Sequence, residues 1–126
     1  MNVSDVHDQE ELNSRAAAAA FLGTLQAGYT NFHYLRDIWK KNSEEEALIG
    51  VGMTGIASGG VLNLNLKEAA KVVRETNQHI AGVIGINPAA RTTCVKPSGS
   101  TSCVLGSSSG IHAWHSEWYI RRMRVG

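Results

Sequence analysis

The chain has 126 residues, and its 12 Lys and Arg against 11 Asp and Glu leave a net charge of +1. About 43% of residues are apolar and 18% charged, a globular composition that excludes disorder along the whole length. The near-neutral balance gives no electrostatic footprint for nucleic acid or a membrane surface, and no apolar run approaches the ~20 residues of a membrane span.

Residues 4–27 predict a helix capped by Ser4 or Asp5. Asp8, Glu10 and Glu11 fall in its early turns, where the macrodipole favours negative charge. The alanines at 16–20 favour helix, Phe21, Leu22 and Leu25 continue an apolar stripe, and Gly28 is placed to end it in the left-handed conformation. The run 16–22 is also the best match to a secretory signal core. It comes after an acidic stretch where a signal needs a basic one, so the expectation is a cytoplasmic protein.

Residues 30–42 predict a second amphipathic helix on Phe32, Leu35 and Trp39, ended by Asn42, with Glu44, Glu45 and Glu46 as a solvated face at the start of the next turn or helix. Leu48, Ile49 and Val51 read as a short buried strand running into a glycine-rich turn. Gly50, Gly52 and Gly55 match G-x-G-x-x-G, but the glycines begin inside the strand and no acidic residue stands about 20 positions on at a strand end. Close backbone packing is the commoner reason for such glycines. Residues 65–80 predict a helix with Asn65 and Glu68 in a box-like cap, an apolar side of Leu66, Ala69, Val72, Val73 and Ile80, and an end at Gly82 or Gly85.

The informative part begins at Gly85. Thr92, Thr93, Cys94 and Val95 are β-rich, and Lys96, Pro97, Ser98, Gly99, Ser100, Thr101 and Ser102 come next, before the apolar Cys103, Val104 and Leu105. A strand leading through Pro and small hydroxyl residues into a helix is a common way to build an anion site. Glycine lets amides approach an oxyanion, hydroxyls donate, and a helix start points its positive end the same way. The plain alternative is that Ser/Gly loops are usually only loops. His112 and His115 are spaced to share a helical face, but with no carboxylate or thiolate nearby the expectation is no metal site. Cys94 and Cys103 read as two buried thiols rather than a disulfide framework or redox pair. Arg121, Arg122 and Arg124 around Met123 and Val125 suggest a strand with a basic edge.

The stretch 87–126 contains RTTCVKPSGSTS, then SSGIHAWH, then YIRRMRVG, and it resembles adenosylcobalamin-dependent (class II) ribonucleotide reductases, in particular the ribonucleoside-triphosphate reductase type. Weaker collinear similarity covers NVSDVHDQEELNSRA and ALIGVGMTGIAS, so the resemblance spans nearly the whole chain. It implies an α/β fold: residues 1–126 as an interior, incomplete segment of a ten-stranded α/β barrel, with a phosphate-loop section at 91–106. It also implies reduction of ribonucleotides to deoxyribonucleotides by a thiyl radical, adenosylcobalamin as cofactor, thioredoxin or a similar dithiol as reductant, and the remaining reductase segments as partners. By motif, substrate phosphate binding falls on Pro97, Ser98, Gly99, Ser100 and Thr101, with Lys96 and Ser102 as secondary candidates. The chain departs from the family pattern in having no Asn-x-Cys-x-Glu finger loop, and neither cysteine matches a radical or redox position. No catalytic residue is therefore assigned, and the isolated segment is expected to be inactive. Two other readings stay open: a stand-alone nucleotide- or phosphate-binding module, and an assembly subunit that completes a split reductase in trans.

Overall fold

The computed structural model describes residues 1–116, 118–120 and 122–125. In chain order these form α1 (Gln9–Ala27), α2 (Asp37–Glu46), a 3-10 turn (Val61–Asn63), α3 (Leu66–Ile84) and the short α4 (Thr101–Leu105).

Helix α1 starts later than its sequence suggests. Asp8 is the cap, its carboxylate accepting from the Glu11 amide at 2.8 Å, while Ser4 and Asp5 lie in the segment before it. Asp5 takes a different part: its carboxylate receives Arg15 at 2.6 and 3.2 Å, and Arg15 also reaches Glu11 and the Asn2 carbonyl. The guanidinium thus ties the first five residues to the side of α1. Gly28 ends the helix with right-handed backbone, φ −72°, and not the left-handed turn its position suggests.

The buried stripe of α1 is Leu12, Ala16, Ala20 and Thr24, a strict i, i+4 row of mostly small side chains. Phe21, Leu22 and Leu25, expected to continue the core stripe, are exposed. The facing stripe of α3 is Ala69, Val73, Asn77 and Ala81. Small residues on both faces let the two helices approach closely, and α1 against α3 is the main helix pair of the fold. Val3, Val6, Ile49 and Val61 complete the core around it.

One polar group sits inside that contact. Asn77 is 1% exposed and donates from Nδ2 to Thr24 Oγ1 at 2.9 Å; Thr24 in turn donates to the Ala20 carbonyl. Asn77 Oδ1 accepts the Ala89 amide at 2.9 Å, which brings the chain after α3 back against the helix pair. The polar side-chain atoms of Asn77 and Thr24 are thus used, as burial requires.

Helix α3 matches its sequence closely at both ends. Asn65 caps it by accepting from Glu68 N at 3.1 Å, and Gly85 closes it with φ +75°. Helix α2 runs further than expected, through Glu44, Glu45 and Glu46, and ends where Ala47 adopts φ +42°. It starts at Asp37, so residues 30–36 are not helical, and it buries no side chain. Glu44, Glu45 and Glu46 stay on the solvent side.

Three extended segments lie side by side. Residues 49–54 stand between 1–3 and 91–94, with parallel bridges at Asn2–Thr54 and Val51–Thr93. The amides of Ile49 and Val51 go to the carbonyls of Arg91 and Thr92, while Thr54 exchanges bonds with Met1 and Val3. The middle segment therefore pairs on both sides, as a central parallel strand does. The pairing is short enough that no regular strand forms among the described residues. Within 118–120 and 122–125 there is no ladder either, so the expected basic-edged strand is absent there; Arg121 lies outside the described residues.

Glycines in 50–60 serve close approach. A Cβ on Gly59 would stand 2.7 Å from the Ser4 carbonyl oxygen, with the Ser4 Cα and carbonyl carbon also within 2.9 Å. No helix opens at Gly55, which removes the strand–turn–helix context that a dinucleotide loop needs.

Candidate functional site

Residues 91–95 are extended, Pro97 begins the turn, and α4 starts at Thr101. The Thr101 amide bonds the Ser98 carbonyl at 3.1 Å and the Val104 amide bonds the Ser100 carbonyl at 3.1 Å. Residues 97–102 are therefore a turn into a helix, not a continuous ladder strand.

Each predicted residue has a defined place. Lys96, Pro97, Gly99, Ser100 and Thr101 are exposed, Ser98 is half-buried, and Ser102 is buried. Gly99 has φ +56°, and a Cβ there would meet nothing within 4 Å. Its glycine requirement is conformational, and the space beside it is open. The amides of Gly99, Ser100, Ser102 and Cys103 have no acceptor among the described residues. Ser100 occupies the cap position without a side-chain cap bond, so the orphan amides of the helix start stay free.

A second hydroxyl-rich loop, 106–110, holds this turn. Ser98 Oγ bonds Ser109 Oγ at 2.9 Å. Gly110, with φ +51°, lies so close to the Lys96 carbonyl that a Cβ would come within 2.8 Å of it. On its other side the loop is fixed through Ser108. The Ser108 carbonyl accepts Gly55 N at 2.7 Å and Thr54 Oγ1 at 2.9 Å, and the Ser108 amide donates to Ser58 Oγ at 3.1 Å. Sequence reasoning does not find Ser108, Thr54 and Ser58. The one signal for them is the Ser-Ser-Ser-Gly run at 107–110 together with the glycine-rich 50–60, two segments that each lack side-chain bulk.

A cleft of about 1210 Å³ opens beside the turn, with Gly99, Ser102, Cys103, Ser107 and His112 among its walls. Ser107 Oγ is the buried side-chain polar atom that lacks a hydrogen-bond partner among the described residues. His112 and His115 do not share a helical face: the chain turns at 110–111 and is irregular beyond it. His112 Nδ1 lies 2.7 Å from the Ser109 carbonyl, and the His115 ring packs edge-on against Tyr119. Cys94 and Cys103 are free thiols but not both buried as expected: Cys94 is half-buried, its Sγ beside Gly50, and Cys103 is exposed on the short helix α4. Among the described residues no three His, Cys, Asp or Glu come together as a metal site, and no helix is long and apolar enough to cross a membrane.

These features define a helix pair with short parallel pairings beside it, leading into a hydroxyl-rich turn and helix. The chain is similar to a Dictyostelium discoideum protein named a probable adenosylcobalamin-dependent ribonucleoside-triphosphate reductase, at 27% identity over 123 residues, covering 93% of this chain and 16% of the relative. It is also similar to the adenosylcobalamin-dependent ribonucleoside-triphosphate reductase of Euglena gracilis, at 30% identity over 96 residues, covering 69% of this chain and 13% of the relative. The chain thus spans about one sixth or less of the length of these curated relatives. No family model and no solved structure matches it.

Proposed function

We propose that this chain is the substrate-phosphate section of an adenosylcobalamin-dependent ribonucleoside-triphosphate reductase, a segment of its ten-stranded α/β barrel. The observation that carries the reading is the turn at 97–102. An extended segment passes through a positive-φ Gly99 into α4, with open space beside the glycine and free amides at the helix start. Free amides and hydroxyls are the donors that phosphate oxygens take without a basic surface. In this role Ser98, Gly99, Ser100 and Thr101 hold the phosphates and Pro97 shapes the turn. Ser102 is buried, which makes its hydroxyl a poorer contact than those of Ser100 and Thr101. Lys96 adds the nearest positive charge in sequence.

The exposed apolar surface of the segment supports the same reading. Leu22, Tyr29, Trp39 and Leu48 are all more than half exposed around an open cleft of about 810 Å³ between α1, α2 and residues 47–52. Apolar exposure of this kind marks a surface that other chain segments cover.

The resemblance implies adenosylcobalamin for the complete reductase, and no residue of this segment is assigned a contact to it. Radical chemistry, cobalamin and the dithiol reductant belong to the remaining segments in this account, and no step is assigned to residues here.

The test is complementation. The Euglena gracilis relative lacking its matched segment is co-expressed with this chain, and nucleotide reduction is assayed with adenosylcobalamin and a dithiol. Restored turnover that depends on Gly99 supports the reading. Turnover by the pure 126-residue chain alone would refute it.

A further inference from the structure

We infer that Ser58 is a positioning residue for the phosphate turn, acting through the 106–110 loop; the inference rests on the phosphate-binding reading of residues 97–102. Ser58 makes no hydrogen bond to the turn itself. Its hydroxyl accepts the Ser108 amide at 3.1 Å, pairs with Ser108 Oγ at 3.3 Å and donates to the Gly55 carbonyl at 3.3 Å. The next residue in that loop, Ser109, takes the Ser98 hydroxyl at 2.9 Å, and Gly110 seats against the Lys96 backbone. A relay of serine contacts, joined through the Ser108–Ser109 backbone, thus runs from the glycine-rich 54–60 segment to the first serine of the turn. The glycine-rich end is tightly packed: Gly55 and Gly59 are pressed against Asn2 and Ser4, and Thr54 bonds the same Ser108 carbonyl. The phosphate end has no such support of its own, because α4 is five residues long and its cap position makes no side-chain bond. A short helix with free amides keeps its start in place only if something outside it fixes the preceding turn. Here that fixture is Ser98, held by Ser109, held in register by Ser58.

The test uses the full 126-residue chain as wild type, Ser58→Ala, Ser58→Thr, Ser109→Ala and the Ser58→Ala/Ser109→Ala pair. Tripolyphosphate affinity is read by calorimetry with sulfate as control, and amide exchange is read at Thr101 and Val104, whose amides bond the Ser98 and Ser100 carbonyls. Removing one hydroxyl of the relay is expected to weaken tripolyphosphate about fivefold and to speed amide exchange in the turn. Ser58→Thr keeps the hydroxyl and restores both. The double variant loses no more than either single one, because both cut the same relay. Should Ser58→Ala fail to fold, Ser109→Ala alone carries the comparison. Unchanged exchange at Thr101 and Val104 in the single variants overturns the positioning role whatever the ligand does. Faster exchange with unchanged affinity overturns it as well. Wild-type chain that never binds tripolyphosphate, with exchange still coupled to Ser58, overturns the phosphate reading and with it the role of Ser58 in it.

Discussion

Ser98 Oγ and Ser109 Oγ lie 2.9 Å apart, and this contact joins the two hydroxyl-rich loops of the chain into one structure. Gly99 comes immediately after Ser98, with φ +56° and open space where a side chain would be. Gly99→Val forces a β-branched residue into the left-handed region at a cost of about 1–2 kcal/mol and fills the space an oxyanion would occupy. Tripolyphosphate binding by the chain, measured by calorimetry, is expected to fall at least about tenfold, the factor that ~1.4 kcal/mol represents. Unchanged affinity would count against the phosphate role.

Asn77 is the buried polar link between α1, α3 and residue 89. Asn77→Ala leaves the half-buried Ala89 amide unpaired and takes away the partner of the buried Thr24 hydroxyl, and stranding such groups costs about 1–3 kcal/mol. Urea unfolding is expected to show a loss of about 2 kcal/mol with an unchanged m-value. A variant as stable as wild type would mean the Asn77 contacts contribute nothing net.

Gly59 and Gly82 are expected to respond in opposite directions to the same methyl group. Gly59→Ala drives a Cβ into the Ser4 backbone, and overpacking against main chain costs about 1–3 kcal/mol. Gly82 lies inside α3 with nothing within 4 Å of a new Cβ. Gly82→Ala is expected to stabilise by about 0.5–1 kcal/mol through helix propensity. Thermal melts of the two variants decide it.

Acid sensitivity arises from Arg15. Its hydrogen bonds hold the Asp5 carboxyl below the usual carboxylate range. A depressed folded pKa means the stabilisation is present above the unfolded value, about 3.9, and is lost as pH falls through the folded one. Wild type and Arg15→Met are therefore expected to differ most near neutral pH and to converge in strong acid. Because the pair is solvent-exposed, salt at about 1 M should shrink the neutral-pH difference. A gap that persists in strong acid would point to lost packing of the Arg15 stem.

The elements of the fold are legible where local chemistry decides them. Asn65 and Glu68 mark the start of α3 and Gly85 its end, because capping and left-handed closure depend on a few adjacent residues. Helix α1 shows the limit. Ser4 and Asp5 have capping chemistry, but Arg15 and the Gly59 contact hold that segment against the rest of the chain, and Asp8 caps instead. Phe21 and Leu22 look like core residues by composition, yet the close α1–α3 contact selects the small row of Ala16, Ala20 and Thr24. The turn at 97–102 can be read from Pro97, Gly99 and its hydroxyls. The support it receives from Ser58 and Ser108 cannot, because those contacts join residues 50 apart in sequence.

The most direct measurement is a titration of the ¹⁵N-labelled chain with a ribonucleoside triphosphate, with sulfate at equal ionic strength as control. The account predicts saturable shifts centred on the free amides of Gly99, Ser100, Ser102 and Cys103 that sulfate does not reproduce. Shifts absent from those four amides, or centred elsewhere in the chain, would contradict it.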